Sequence, residues 1–192
     1  MKKSWIFILL ISFSFLFSSC SYNKIVSMDE AVTAQWSQVE NVYQRRADLI
    51  PNLVNTVKGY AAHEKETLEG VIEARAKATS VNINPEKFDP QSLQQFQQAQ
   101  DGLSSALSRL MVVVEKYPDL KANQNFMDLQ AQLEGTENRI AVERRKFNET
   151  AQNYNTFIRK FPKNITAMIF GFEKRDYFQA QVGAEKAPVV QF

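Results

Sequence analysis

The sequence predicts an all-α protein, an elongated antiparallel helical bundle. Apolar residues recur three or four apart over runs far longer than a strand, from Val32 to Ile72, Leu93 to Leu110 and Phe126 to Ile158. Glycine and proline are few, six each in 192 residues, which suits long helices with short connections. Each run is apolar on one stripe only, so the helices must bury those stripes against one another.

The first stripe passes through Val32, Trp36, Val39, Tyr43, Ala47, Ile50, Val54, Val57, Ala61, Leu68 and Ile72, with Ser27 or Asp29 as the expected cap. Pro51 falls inside it. Either the proline opens a new helix at its first position, or it kinks a continuous one by removing a hydrogen bond and crowding the carbonyl of Ala47. The stripe crosses Pro51 without a slip of phase, which favours a continuous helix. At 1.5 Å per residue, a helix of about fifty residues extends ~75 Å.

Residues 80–90, SVNINPEKFDP, carry two prolines and read as a loop. A second helix is predicted from Gln91 to Lys116; its Gln-rich start is a solvated face, because Leu93, Phe96, Leu103, Leu107 and Leu110 continue the stripe. YPDLKAN, residues 117–123, is a turn. The third helix spans about 124–160, with Phe126, Leu129, Leu133, Ile140, Phe147, Tyr154 and Ile158 on one face and Pro162 at its end. ITAMIFGF, residues 165–172, is expected to fold onto the bundle as a short helix or hydrophobic arm.

The N-terminus reads MKKSWIFILLISFSFLFSSC. Two lysines, an apolar stretch shorter than the ~20 residues of a membrane-spanning helix, and small residues follow the grammar of a secretory signal. LFSSC, residues 16–20, resembles a bacterial lipobox, although Phe17 stands where leucine is commonest. The sole cysteine, Cys20, lies at its end, which favours a lipid anchor there over an uncleaved signal-anchor helix or an ordinary cleaved signal. The expected organisation is a lipoprotein-type signal over 1–19, a lipidated tether over 20–27, the bundle over 28–180 and a loose tail over 181–192.

One cysteine excludes an intrachain disulfide and a Cys/His zinc cluster. Lys2 and Lys3 supply the whole formal charge of +2, so a chain without them is neutral, and no basic field favours nucleic acid. His63 is the single histidine and lacks the second histidine of a zinc-protease helix. No catalytic residues, metal site or cofactor are expected. One charged constellation remains. Arg45, Arg46, Asp48 and Asn52 interrupt the first stripe around Pro51, and Glu137, Arg139, Glu143 and Arg144 concentrate on the third helix. Helix packing brings these into one polar layer or interaction surface, or they stay on the surface as i,i+4 pairs.

Residues 36–64, WSQVENVYQRRADLIPNLVNTVKGYAAHE, then 115–140, EKYPDLKANQNFMDLQAQLEGTENRI, then 154–162, YNTFIRKFP, and the Gly171–Phe172 step closely resemble the LemA family of bacterial envelope proteins. The resemblance covers roughly 28–180, and RRADLIPNL is its most specific part. It implies an antiparallel bundle of four helices, membrane association, and a bundle held outside the cytoplasm, usually behind a transmembrane helix. It implies no established enzymatic activity. The expected function is a membrane-anchored, non-catalytic envelope lipoprotein that presents its bundle to an unknown envelope protein partner. Two alternatives stand beside it: a hydrolase or small-ligand sensor built on Arg45, Asp48, Glu137 and Glu143, and an accessory subunit of a membrane protease or transporter. Inner versus outer membrane is left open.

Overall fold

The computed structural model describes residues 2–84 and 89–179, with side chains from Ser21 onward. The expected tail at 181–192 and the side chain of Cys20 lie outside these residues. Among the described residues all regular structure is helical: α1 (Lys2–Tyr60), α2 (Lys65–Ser80), α3 (Pro90–Val114), α4 (Pro118–Lys121), α5 (Gln124–Arg159) and α6 (Lys163–Phe170).

The continuous alternative holds at Pro51, because α1 runs through it as one helix of 59 residues. Two expectations about α1 are corrected. It begins at Lys2, so neither Ser27 nor Asp29 caps it. It also ends at Tyr60 rather than running past Ile72. The chain reverses over Ala61 to Glu64, where Ala61 N donates to Val57 O at 2.8 Å and Glu64 N to Ala61 O at 3.1 Å. The reversal keeps Val57, Ala61, Leu68 and Val71 in one core cluster.

Sequence sets the other helix ends directly. Asp89 caps α3 by accepting from Gln91 N and Ser92 N, with Pro90 in the first turn where its missing N–H is harmless. Asn123 caps α5 by accepting from Phe126 N at 3.1 Å. Gly171 ends α6 at φ 72, a left-handed position that glycine adopts without strain, and Phe172 N closes the turn onto Ala167 O at 2.9 Å.

The longest contact runs between α1 and α5, and α2 packs against α3 and α1. α1 and α5 are antiparallel: Trp36 meets Phe147, Arg46 meets Glu137, and the Asn123 amide donates to the Tyr60 hydroxyl. The core has two parts. One, around Ile50, Leu53, Leu103, Leu110 and Phe126, is enclosed by α1 to α5. The other, around Trp36, Phe96, Phe147, Tyr154 and Ile158, lacks α2. There the extended segment 172–179 covers the seam between α1 and α5, and Phe178 stacks on Trp36 at 5.8 Å between ring centroids.

Candidate functional site

Arg46 sits where the two core clusters meet, between Tyr43 of one and Ile50 of the other. Its position on the apolar stripe buries it almost completely, and two helices, α3 and α5, supply its acceptors. Nη1 donates to Glu137 Oε1 at 2.8 Å and Ser104 Oγ at 2.9 Å. Nη2 donates to the carbonyl and side-chain oxygens of Gln100. Gln100 in turn donates to Ala78 O at 3.1 Å, which carries the network to α2. The guanidinium carbon lies 5.2 Å from the Tyr43 ring centroid, and burial pushes that phenol's pKa up against the pull of Arg144 and Arg46. Both Nη groups are engaged inside the bundle, where they tie α1 to α3 and α5.

Arg75 was missed in the sequence. It reaches from α2 to donate through Nε to Ala47 O at 2.7 Å. That carbonyl is the one Pro51 leaves without its helical donor, so Arg75 completes the ladder of α1 at its weak point.

The remaining predicted residues do not gather around Arg46. Arg45 and Asn52 are exposed on the outer face of α1, as is Asp48, which accepts from Gln44 at 2.7 Å. Arg139 is exposed on α5. Glu143 accepts from Lys146 at 2.8 Å and Gln35 at 2.7 Å. Those bonds, Lys146 first, hold its carboxyl below the usual range. Arg144 lies 4.8 Å from the Phe178 ring centroid and donates to Gln179 O. Neither alternative describes the whole set, which divides into an Arg46–Glu137 centre, a Glu143 cluster and an exposed α1 face. The side chains alternate around their helices, and a stretch of charges cannot all face one way.

A second set of polar contacts holds segment 172–179. Asn155 pairs with the backbone of Arg175 in both directions, donating to its carbonyl at 2.7 Å and accepting from its N–H at 2.9 Å. Two turns earlier on α5, Asn148 does the same for Phe178, at 3.0 and 2.8 Å. Each side-chain amide thus stands in for a neighbouring strand. Arg175 also makes a bidentate pair with Asp29 at 2.9 and 3.0 Å, joining the segment to α1. Burial and the nearby Asp29 push the Tyr154 phenol's pKa up beside this pair. Asn155 falls in the family-like run 154–162 and Asn148 in none of the quoted runs; their seven-residue spacing on one face is the available signal for the shared role.

Between α3 and α5 an open groove of ≈ 400 Å3 is lined by Ser104, Leu107, Met111, Leu133, Glu134 and Glu137. Among the described residues no group of three His, Cys, Asp or Glu gathers to hold a metal ion, and no helix is long and apolar enough to cross a membrane.

A family model described as the LemA family matches residues 35–192. Magnetosome protein MamQ 2 of Paramagnetospirillum magneticum is 30% identical over 190 residues, covering 88% of this chain and 68% of that protein. Magnetosome protein MamQ of Magnetospirillum gryphiswaldense is 29% identical over 186 residues, with the same coverage of 88% and 68%. Protein LemA of Metamycoplasma hominis is 25% identical over 158 residues, covering 82% of this chain and 68% of its own.

Proposed function

The chain belongs to the LemA family, and on that premise we propose that it is a membrane-anchored, non-catalytic envelope protein. Its helical bundle is held outside the cytoplasm and presented to protein partners. The observation that carries this reading is the continuity of α1, which leads from the apolar N-terminal segment into the centre of the bundle as one helix. From Cys20 to Tyr60 this helix is about forty residues, roughly 60 Å long, so an anchor at Cys20 attaches directly to the helix that runs through the bundle.

Cys20 is the attachment point in this reading. A diacylglycerol there supplies two acyl chains, enough for the stable membrane attachment that a single chain does not give. The buried Arg46 network supports a role as a rigid scaffold, since its charges satisfy one another inside the bundle. Arg45, Asp48 and Asn52 form an exposed polar face on α1 that a protein partner reads. Relatives named as magnetosome proteins fit a membrane setting.

Fractionation tests the reading. The chain is expected in the membrane pellet after a carbonate wash, and protease added to intact spheroplasts is expected to digest its bundle. A chain in the soluble fraction, or one that protease reaches only after lysis, contradicts it.

A further inference from the structure

The short helix α6 is amphipathic the wrong way round for a helix docked on a core. Its buried residues are Thr166 and Ala167, a hydroxyl and a methyl. Its large apolar side chains face outward, with Met168 76% and Ile169 68% exposed, and Phe161 just before it 80% exposed. Met168 and Ile169 follow Ile165 by three and four residues, so these three share one face of α6, and Phe161 is exposed in the turn just before the helix. Elsewhere the exposed large apolar residues, such as Ile72, Val112 and Met127, fall on three different helices. A contiguous exposed apolar patch marks an interaction surface, whereas single residues do not.

The position of α6 selects the occupant. Phe170 lies 4.7 Å and Phe172 5.8 Å from the Tyr22 ring, centroid to centroid. Tyr22 is two residues beyond Cys20 and five beyond Phe17, where the apolar N-terminal stretch ends. At 1.5 Å per residue these steps are roughly 3 and 8 Å along the helix, so either form of N-terminal anchor brings α6 to the level of the lipid headgroups. Five basic residues flank the apolar face in sequence, Arg159, Lys160, Lys163, Lys174 and Arg175, against two acids, Glu173 and Asp176, and Arg175 is paired with Asp29. Apolar side chains flanked by an excess of cations match an anionic bilayer surface.

We propose that α6 is a second membrane contact. Phe161, Ile165, Met168 and Ile169 insert among the headgroups of an anionic phospholipid surface beside the N-terminal anchor. This rests on the membrane anchoring proposed above. The insertion gives the bundle a second point of attachment beside the N-terminal anchor.

The test uses the full chain, purified from expressing bacteria, with Ile169→Trp in vesicles of phosphatidylcholine and phosphatidylglycerol. Flotation with the vesicles reads the anchor. Quenching by acyl-chain-brominated lipid, taken as the difference from the wild-type chain, reads α6. The expected result is flotation with loss of the position-169 fluorescence on bromination, and weaker loss in phosphatidylcholine alone. Flotation without quenching overturns the α6 proposal and leaves the anchor standing. A blue-shifted but unquenched tryptophan means that protein, a second copy or a partner, covers the face, and overturns it too. A chain that fails to float overturns both readings. Equal quenching in the two lipids removes the basic residues from the proposal.

Discussion

Arg75 Nε donates to Ala47 O at 2.7 Å, across from the helical N–H that Pro51 lacks. The two residues stand on different helices, and the bond compensates locally for a proline inside α1. Arg75→Ala is expected to lower stability by ~1–2 kcal/mol, as a charge-assisted bond to a half-buried carbonyl is lost. In a Pro51→Ala background residue 51 regains its N–H, so the same substitution should cost clearly less. Urea denaturation of the four chains checks this; strictly additive effects would show that Arg75 does not serve the proline.

The Arg46–Glu137 pair is asymmetric, with the arginine buried and the glutamate side chain 45% exposed. Removing the glutamate leaves a cation inside the bundle, whereas removing the arginine leaves a carboxylate that water can reach. Glu137→Ala is therefore expected to cost about 3 kcal/mol and Arg46→Met less, near 1 to 2, with the surviving Gln100–Ala78 bond limiting the loss. The reverse order in denaturation midpoints would contradict the placement of the charges.

Asn155 and Asn148 should govern separate stretches of the C-terminal segment. Asn155→Leu is expected to raise amide exchange at Arg175 about tenfold or more, and Asn148→Leu to do so at Phe178, each with a smaller effect at the other site. Unchanged exchange in both variants would mean that Trp36 packing and the Asp29 pair hold the segment without the amides.

Glu143 gives a pH signature. Its folded pKa lies below the unfolded value of ~4.3, so the stability it contributes is fully present above that value. That contribution is lost as pH falls from there through the folded pKa. Gln35→Ala removes one of the bonds responsible and should move the carboxyl's NMR titration midpoint upward. A midpoint that stays in place would assign the whole shift to Lys146.

The helical class, the continuity at Pro51 and the helix starts near 90 and 124 were legible in the sequence. Each depends on local chemistry: a 3.6-residue stripe, its unbroken phase across the proline, and prolines that mark the connections before α3 and α5. The reversal at Ala61–Glu64 was not, for an instructive reason. Phase continuity gave the right answer at Pro51 and the wrong one here, because Ala61 and Leu68 are seven apart. That spacing fits an unbroken helix and equally a turn between two helices that share a core. No glycine or proline sits in the turn to announce it. The candidate site was legible in part. Arg46 stood on the apolar stripe and Glu137 in a charged run, but Gln100, Ser104 and Arg75 come from helices whose register only packing sets. The sequence assigned no role to Asn148 and Asn155, since nothing local reveals that segment 172–179 returns along α5.

The most direct test of the anchored reading is the intact mass of the chain extracted from membranes. The account predicts a species that starts at Cys20 and carries diacylglycerol on its sulfur, and that is lost in a Cys20→Ala variant. An unmodified chain recovered from the soluble fraction, or a membrane-bound chain still starting at Met1 with an unmodified Cys20, would contradict it.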